Sequence, residues 1–435
     1  MTEYRFRGAV APLRRAENVA PLRRAENAAP LRRAENAAPL LRAADAAPAP
    51  ATVDGAVAAL RPEMPLHCLR PATVAGAAAA FRAAFPGDVL YAVKCNPEPA
   101  VLRALWRGGV RHFDCASAGE VRLVRTMFPE AEIHFMHPVK ARGAIREAFG
   151  RHGVRDFVLD SAEELAKLRE ETGGAADLGL VVRLALPKGG AVYDLSGKFG
   201  ATEEAAAALL RAARPHAGQL GLSFHVGSQC LDPAAYARAI ARAAAVIRAA
   251  GVVVDILDVG GGFPVSYPEV TPPPLRDFMA AIADAVAEHG LGHMTLWAEP
   301  GRALVAGGTS VVVQVQHRRG DALFVNDGVY GALSDAGAPG FRFPVRLVRP
   351  GGGGAAPVVP FTFFGPSCDS ADRMEGPFLL PADVGEGDWI EVGQLGAYGA
   401  CLRTAFNGFD QAALVEVADP PLLATPGYAA LAAVA

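Results

Sequence analysis

From about Pro65 onward, short β-type runs alternate with alanine-rich helical stretches, and this alternation constrains the fold more than any other feature. The runs are Val89–Lys94, His112–Cys115, Glu132–Met136, Asp156–Leu159, Gly179–Leu184, Gly221–Val226, Ile256–Val259 and Thr295–Ala298. Helix-type segments such as Pro99–Arg107, Glu203–Ala213 and Pro233–Ala250 separate them. A strand that returns parallel to its predecessor needs a crossover, usually a helix, so the pattern specifies an α/β protein. Eight such units over about 240 residues specify a (β/α)8 barrel, here spanning 65–305. An open doubly wound sheet is the competing arrangement. The barrel is preferred because chemistry-bearing residues follow the C-terminal end of nearly every run, where barrel sites are built.

After Leu304 the texture changes. Runs such as Thr309–Gln316, Ala322–Val325, Val358–Phe364 and Trp389–Val392 sit among glycines and prolines with no long helical pattern, which specifies a mostly β domain over 306–425. Residues 51–64 read as the joint ahead of the barrel. Residues 1–50 carry a nonapeptide repeat, Val-Ala-Pro-Leu-Arg-Arg-Ala-Glu-Asn, which starts at Val10, recurs at Val19 and Ala28 and decays from Ala37. A proline in every copy blocks a continuous helix, and one large apolar side chain per copy buries little, so disorder is expected there. Lys and Arg number 42 against 45 Asp and Glu, a net charge of −3, too balanced for a nucleic-acid or membrane-surface binder. No apolar stretch of about 18 residues offers a membrane span. Six cysteines, none in a CxxC pair, point to a reduced, cytoplasmic protein with neither a disulfide framework nor a metal site.

Four run ends carry chemistry. Tyr91-Ala-Val-Lys94 closes the first; a lysine among apolar neighbours has its pKa lowered and can form an imine, and a lysine snorkelling to the barrel mouth accounts for it equally well. Phe224-His225-Val-Gly227-Ser228 closes the sixth and offers a flat ring and a hydroxyl; a core histidine is the alternative. Asp258-Val-Gly260-Gly261-Gly262-Phe263-Pro264 closes the seventh, and three glycines let backbone N–H groups approach an anion. Ala298-Glu299-Pro300-Gly301-Arg302 closes the eighth, pairing a carboxylate suited to a cationic ring nitrogen with a guanidinium suited to phosphate. An imine-forming lysine, a stacking ring, a phosphate cradle and a carboxylate are the parts that pyridoxal 5'-phosphate needs.

With Phe-Asp-Cys-Ala-Ser at 113–117, Asn-Asp-Gly-Val-Tyr at 326–330, Gly-Pro-Ser-Cys-Asp at 365–369, Gly-Ala-Tyr at 396–398 and Phe-Asn-Gly-Phe at 406–409, these motifs resemble the fold-type III, pyridoxal-phosphate-dependent ornithine/diaminopimelate/arginine decarboxylases. The resemblance runs from about Pro65 to Ala418 and implies roles. Lys94 would carry the cofactor as a Schiff base, with Asp114 supporting it. His225 would stack on the ring, and Glu299 would pair with its nitrogen. Ser228, Gly261, Gly262, Gly301, Arg302 and Tyr398 would hold the cofactor, chiefly its phosphate. Cys368 would reprotonate the carbon left by CO2, and Asp369 would face the substrate's distal amine. The family's Cys-Asp loop serves the neighbouring subunit, which implies a head-to-tail homodimer.

Gly-Gly-Gly-Phe-Pro and Phe-Asn-Gly-Phe look like the ornithine branch, so ornithine decarboxylation to putrescine is the expected activity. The Tyr-Asp pair of eukaryotic ornithine enzymes is absent after Tyr330; the segment there is spaced as in bacterial lysine/ornithine decarboxylases, and Asp335 is its candidate second contact to the distal ammonium, with a solvated loop residue as the alternative. Diaminopimelate enzymes usually have Cys-Glu where this chain has Cys368-Asp369. A non-catalytic homologue typically loses the lysine or the cysteine, and Lys94 and Cys368 are both present.

Overall fold

The computed structural model describes residues 51–187, 197–352 and 356–424, together with the backbone of two short strands, Leu41–Arg42 and Ala191–Tyr193. Eight parallel strands close into a barrel: Asp88–Ala92, His112–Cys115, Glu132–Phe135, Asp156–Leu159, Gly179–Arg183, Gln219–Ser223, Ile256–Asp258 and Thr295–Ala298. The last closes on the first through Trp297 opposite Asp88 and Ala298 opposite Val89. Leu90, Met136, Val158, Val181, Ile256 and Trp297 form a small cluster of their own, and strand alternation assigns it to the barrel interior. The intervening residues, such as Val89, Tyr91, Phe157 and Leu180, join the larger cluster made with the helices.

Several helices start where a side chain satisfies a free backbone N–H group. Ser117 caps Ala118–Met127 by accepting from the Glu120 N–H at 3.2 Å, and the Glu120 carboxylate accepts from the Ala116 N–H at 2.7 Å. Ser161 and Thr202 cap Ala162–Glu171 and Glu203–Ala213 in the same way. Ser117 and Ser161 each follow their strand by two residues, so those two crossovers stay short.

The second domain is a sheet built on the long strand Thr309–Arg319. Its near half pairs with Leu66–Leu69 and Trp389–Val392, and its far half pairs with Ala322–Val325, which leads on to Val358–Phe364 and Arg373–Pro381. The domain boundary therefore differs from the expected one. Leu66–Leu69 lies within the span assigned to the barrel, yet it is a sheet strand between Thr309–Arg319 and Ala413–Glu416. The helix Val53–Leu60, expected as a joint, packs Val53, Ala56 and Val57 against Leu66, Val312, Val348 and Trp389. The reason is burial: every side chain of Leu66–Leu69 is covered on both faces.

Arg70 ties this entry segment to the sheet. It pairs with Glu391 and Asp419 at 3.0 Å each, and Glu391 in turn accepts from Arg346 at 2.6 Å. The nonapeptide repeat lies outside the described residues, apart from Leu41–Arg42, which pair with Ala413–Leu414. Among the described residues no helix is long and apolar enough to cross a membrane.

Candidate active site

A cavity of about 460 Å3 opens at the C-terminal ends of the barrel strands. Lys94, His225, Ser228, Gly262, Glu299, Gly301, Arg302 and Tyr398 all line it, so residues from four separate strand ends and from the β domain meet in one cavity. Asp114 and Gly261 stand just behind this wall. Asp114 is fully buried under Lys94. Gly261 lies against His225: a Cβ there would sit 3.1 Å from His225 Nε2 and 2.5 Å from the Glu299 carbonyl oxygen.

The first strand ends at Ala92, two residues earlier than expected, and Val93–Cys95 form a 3-10 turn. That turn aims Lys94 at Asp114, whose Oδ2 accepts from Nζ at 2.5 Å. The expected lowering of the lysine pKa is not found. Although the tip of Lys94 is open to the cavity, the surrounding protein strips hydration and opposes the ammonium. Asp114, then Glu299 and Tyr398, outweigh that effect and hold the amine above its ordinary range. The resemblance implied Asp114 beside Lys94, but the apolar neighbours of the lysine gave no sign that this carboxylate would outweigh burial.

Glu299 is buried, and its Oε1 has no hydrogen-bond partner. Burial, then Asp258 and Asp114, push its carboxyl well above the usual range. Asp258, close beside it, is raised as well, by burial first. Two buried carboxyls in contact cannot both ionise cheaply, and a cation placed against Glu299 would reverse this. His225 is held neutral, by burial first and then by Arg183 and Lys94. Its Nδ1 accepts from the Gly227 N–H at 3.0 Å, which places its remaining proton on Nε2.

The glycines are sterically required. Gly262 has φ +101°, and a Cβ there would sit 2.2 Å from the Gly227 carbonyl oxygen; a Cβ at Gly301 would sit 2.9 Å from Cys95 Cβ. The wall thus offers a lysine amine, an unpartnered buried carboxyl, a flat neutral ring, close-approach backbone and the buried, unpartnered Nε of Arg302. This donor set fits pyridoxal phosphate.

Three expected residues stand elsewhere. Asp335, expected at the substrate's ammonium, is buried and pairs with Arg302 Nη2 at 2.9 Å. It sits in the turn Ser334–Ala336 that packs onto the barrel, so its carboxylate meets a guanidinium of its own chain. Cys368 and Asp369 do not line the cavity; they line a separate hollow of the β domain with Phe324 and Phe364. Cys368 is exposed, its Sγ 3.3 Å from Asn407 Oδ1, and Asp369 accepts from the Tyr330 hydroxyl at 2.5 Å.

Sequence reasoning missed Arg183, His137, Lys198 and Phe199, all of which line the cavity. Arg183 left a signal, a charge ending an apolar run, and it lies 4.0 Å from Glu299. His137 follows the third run at a His-Pro step. Lys198 and Phe199 belong to no run and left none.

Residues 72–306 match the family model for the pyridoxal binding domain of pyridoxal-dependent decarboxylases, and residues 302–396 match that for their C-terminal sheet domain. The chain is 34% identical over 345 residues to a lysine/ornithine decarboxylase of Selenomonas ruminantium, an alignment covering 77% of this chain and 84% of that protein. It is 32% identical over 349 residues to an ornithine decarboxylase of Panagrellus redivivus, covering 74% and 78%. Its fold superposes on the arginine decarboxylase of Paramecium bursaria Chlorella virus bound to agmatine with a TM-score of 0.74 and 28% identity, covering 84% of this chain and 99% of that one.

Proposed function

Because this chain belongs to the pyridoxal-dependent decarboxylases that act on basic amino acids, we propose that it removes the α-carboxyl group of L-ornithine to give putrescine, working as a homodimer. The observation that carries this reading is the separation of charge in one chain. Lys94, Arg183, Lys198 and Arg302 line the cavity, and Glu299 is the one carboxylate among the described residues that line it. The cavity therefore suits the anionic phosphate and α-carboxylate, and among the described residues it offers no spare carboxylate for a cationic tail. Asp369, half-buried and oriented by Tyr330, supplies that carboxylate when a second copy presents its loop. An aspartate at this place favours a tail ending in an ammonium over one ending in a carboxylate. Ornithine is preferred among basic amino acids on the likeness of Gly260–Pro264 and Phe406–Phe409 to the ornithine branch.

The cofactor is pyridoxal 5'-phosphate, which supplies a conjugated electron sink when bound. The protein's own groups do the rest. Lys94 would hold the cofactor through its amine, which must first shed the proton that Asp114 stabilises. The neutral ring of His225 offers a flat face. Glu299 would meet the cationic ring nitrogen with its unpartnered Oε1, and Arg302, Ser228 and the glycines would hold the phosphate. Cys368 of a second copy would hold the proton for the carbon that loses CO2.

A panel of ornithine, lysine, arginine and meso-diaminopimelate, read as CO2 release, tests the substrate. The highest kcat/KM is expected on ornithine. Lysine differs by one methylene, a step worth about 1–3 kcal/mol in a pocket, so a measurable lysine rate is expected as well. Turnover of diaminopimelate with none of ornithine refutes the reading.

A further inference from the structure

Two residues converge on Arg302 from opposite sides. Tyr267 comes from the loop after the seventh barrel strand, and Asp335 comes from the turn Ser334–Ala336 of the β domain. Arg302 Nη1 donates to the Tyr267 hydroxyl at 2.7 Å, and Nη2 donates to Asp335 Oδ2 at 2.9 Å. The guanidinium carbon lies 4.9 Å from the ring centre of Phe341 and 5.1 Å from that of Tyr398. The Asp335 turn is itself tied down, because its carbonyl accepts from the Phe341 N–H at 2.9 Å.

All three polar groups are buried, Arg302 at 6%, Asp335 at 7% and Tyr267 at 5% exposure, so solvent does not compete for them. A guanidinium offers five N–H donors in a rigid plane. One donor on each terminal nitrogen is taken, and the plane is thereby set. The Nε–H is buried without a partner, although Arg302 lines the cavity. A buried, unpartnered donor on a side chain whose other ends are pinned is a prepared anion contact.

We infer that Asp335 and Tyr267 are positioning residues for the cofactor's phosphate, holding the Arg302 guanidinium so that its Nε edge is left for the anion. The inference rests on the reading of this cavity as the pyridoxal phosphate site with Arg302 at the phosphate. It gives the β domain a part in cofactor binding through a residue that does not touch the cofactor. It also assigns Asp335 a task other than substrate recognition.

The test uses the full chain freed of cofactor and titrated separately with pyridoxal phosphate and with pyridoxal, which lacks the phosphate. Binding is read by absorbance and by quenching of intrinsic fluorescence. Asp335→Ala is expected to raise the half-saturating concentration of pyridoxal phosphate about tenfold, the loss of one charge-assisted hydrogen bond, while pyridoxal binding stays at the wild-type value. Tyr267→Phe, which keeps the ring, should give the same pattern with a smaller rise. In an Arg302→Ala background, Asp335→Ala should add nothing, because it acts only through that arginine.

Equal losses for pyridoxal phosphate and pyridoxal would overturn the inference, as would a full Asp335→Ala effect without Arg302. Tighter phosphate binding in Asp335→Ala would also overturn it, showing that Asp335 only neutralises the arginine. Should Asp335→Ala fail to fold, Tyr267→Phe decides by the same comparison, and an unchanged phosphate preference there counts against the inference. A wild-type protein that binds neither compound would instead remove the reading of the cavity.

Discussion

Lys94 is the residue whose surroundings matter most to its chemistry. Burial alone would bring its amine toward neutrality, but the contact with Asp114 reverses the sign. The protein thus keeps the lysine protonated and well placed until a ligand rearranges the charges around it. Asp114→Asn removes the largest favourable contribution and leaves burial dominant. The amine pKa of the variant should fall, so that cofactor-free protein captures pyridoxal phosphate covalently at lower pH than wild type does. The pH midpoint of capture, followed by absorbance, checks this; a midpoint that stays or rises assigns the ammonium to Glu299 and Tyr398 instead.

At the scale of elements, the strand Leu66–Leu69 shows how a short segment is claimed by its neighbours. It holds four residues, all buried, and one of them is His67 at 1% exposure. Burial, aided by Arg403, pulls the His67 pKa down from 6.5 to about 3. A histidine whose folded pKa is depressed favours the fold above its unfolded pKa, and that contribution is lost as pH falls toward the folded value. Stability should therefore drop between pH 6.5 and 4, by on the order of a few kcal/mol from this group. His67→Gln should be less stable at pH 7.5 and should lose less on acidification. Thermal unfolding of both proteins across this range checks it, and parallel curves would show that other groups control the acid response.

At the scale of the whole molecule, one chain carries the parts of a site in two places. The barrel cavity holds Lys94, while the Cys368–Asp369 loop lies on another face of the β domain. Around that loop Leu402, Phe406 and Phe409 are exposed at 43%, 41% and 48%, and Phe406 packs on Tyr330. An exposed apolar set beside this loop suits the proposed dimer, in which each copy would complete the other's cavity. Lys94→Ala and Cys368→Ala should each be nearly inactive. Mixed in equal amounts under exchange conditions, they should recover about a quarter of wild-type activity, because half the dimers carry one intact site of two. No recovery despite subunit exchange, shown by tagged pulldown, would place cysteine and lysine of the same chain together.

Much of this was legible in the chain itself. The period of strand and helix determined the barrel, because a parallel strand requires a crossover and only particular residues cap the intervening helices. Lysine, histidine, glycine and carboxylate after the first, sixth, seventh and eighth runs pointed to the candidate site, because the C-terminal face gathers whatever follows the strands. Contacts between residues far apart in sequence were not legible. The pairing of Leu66–Leu69 with Thr309–Arg319, the reversal of the Lys94 pKa by Asp114 and the capture of Asp335 by Arg302 each depend on burial. Local composition sets which groups are present; desolvation and distance set their charge and their partners, and both exist only once the chain has closed.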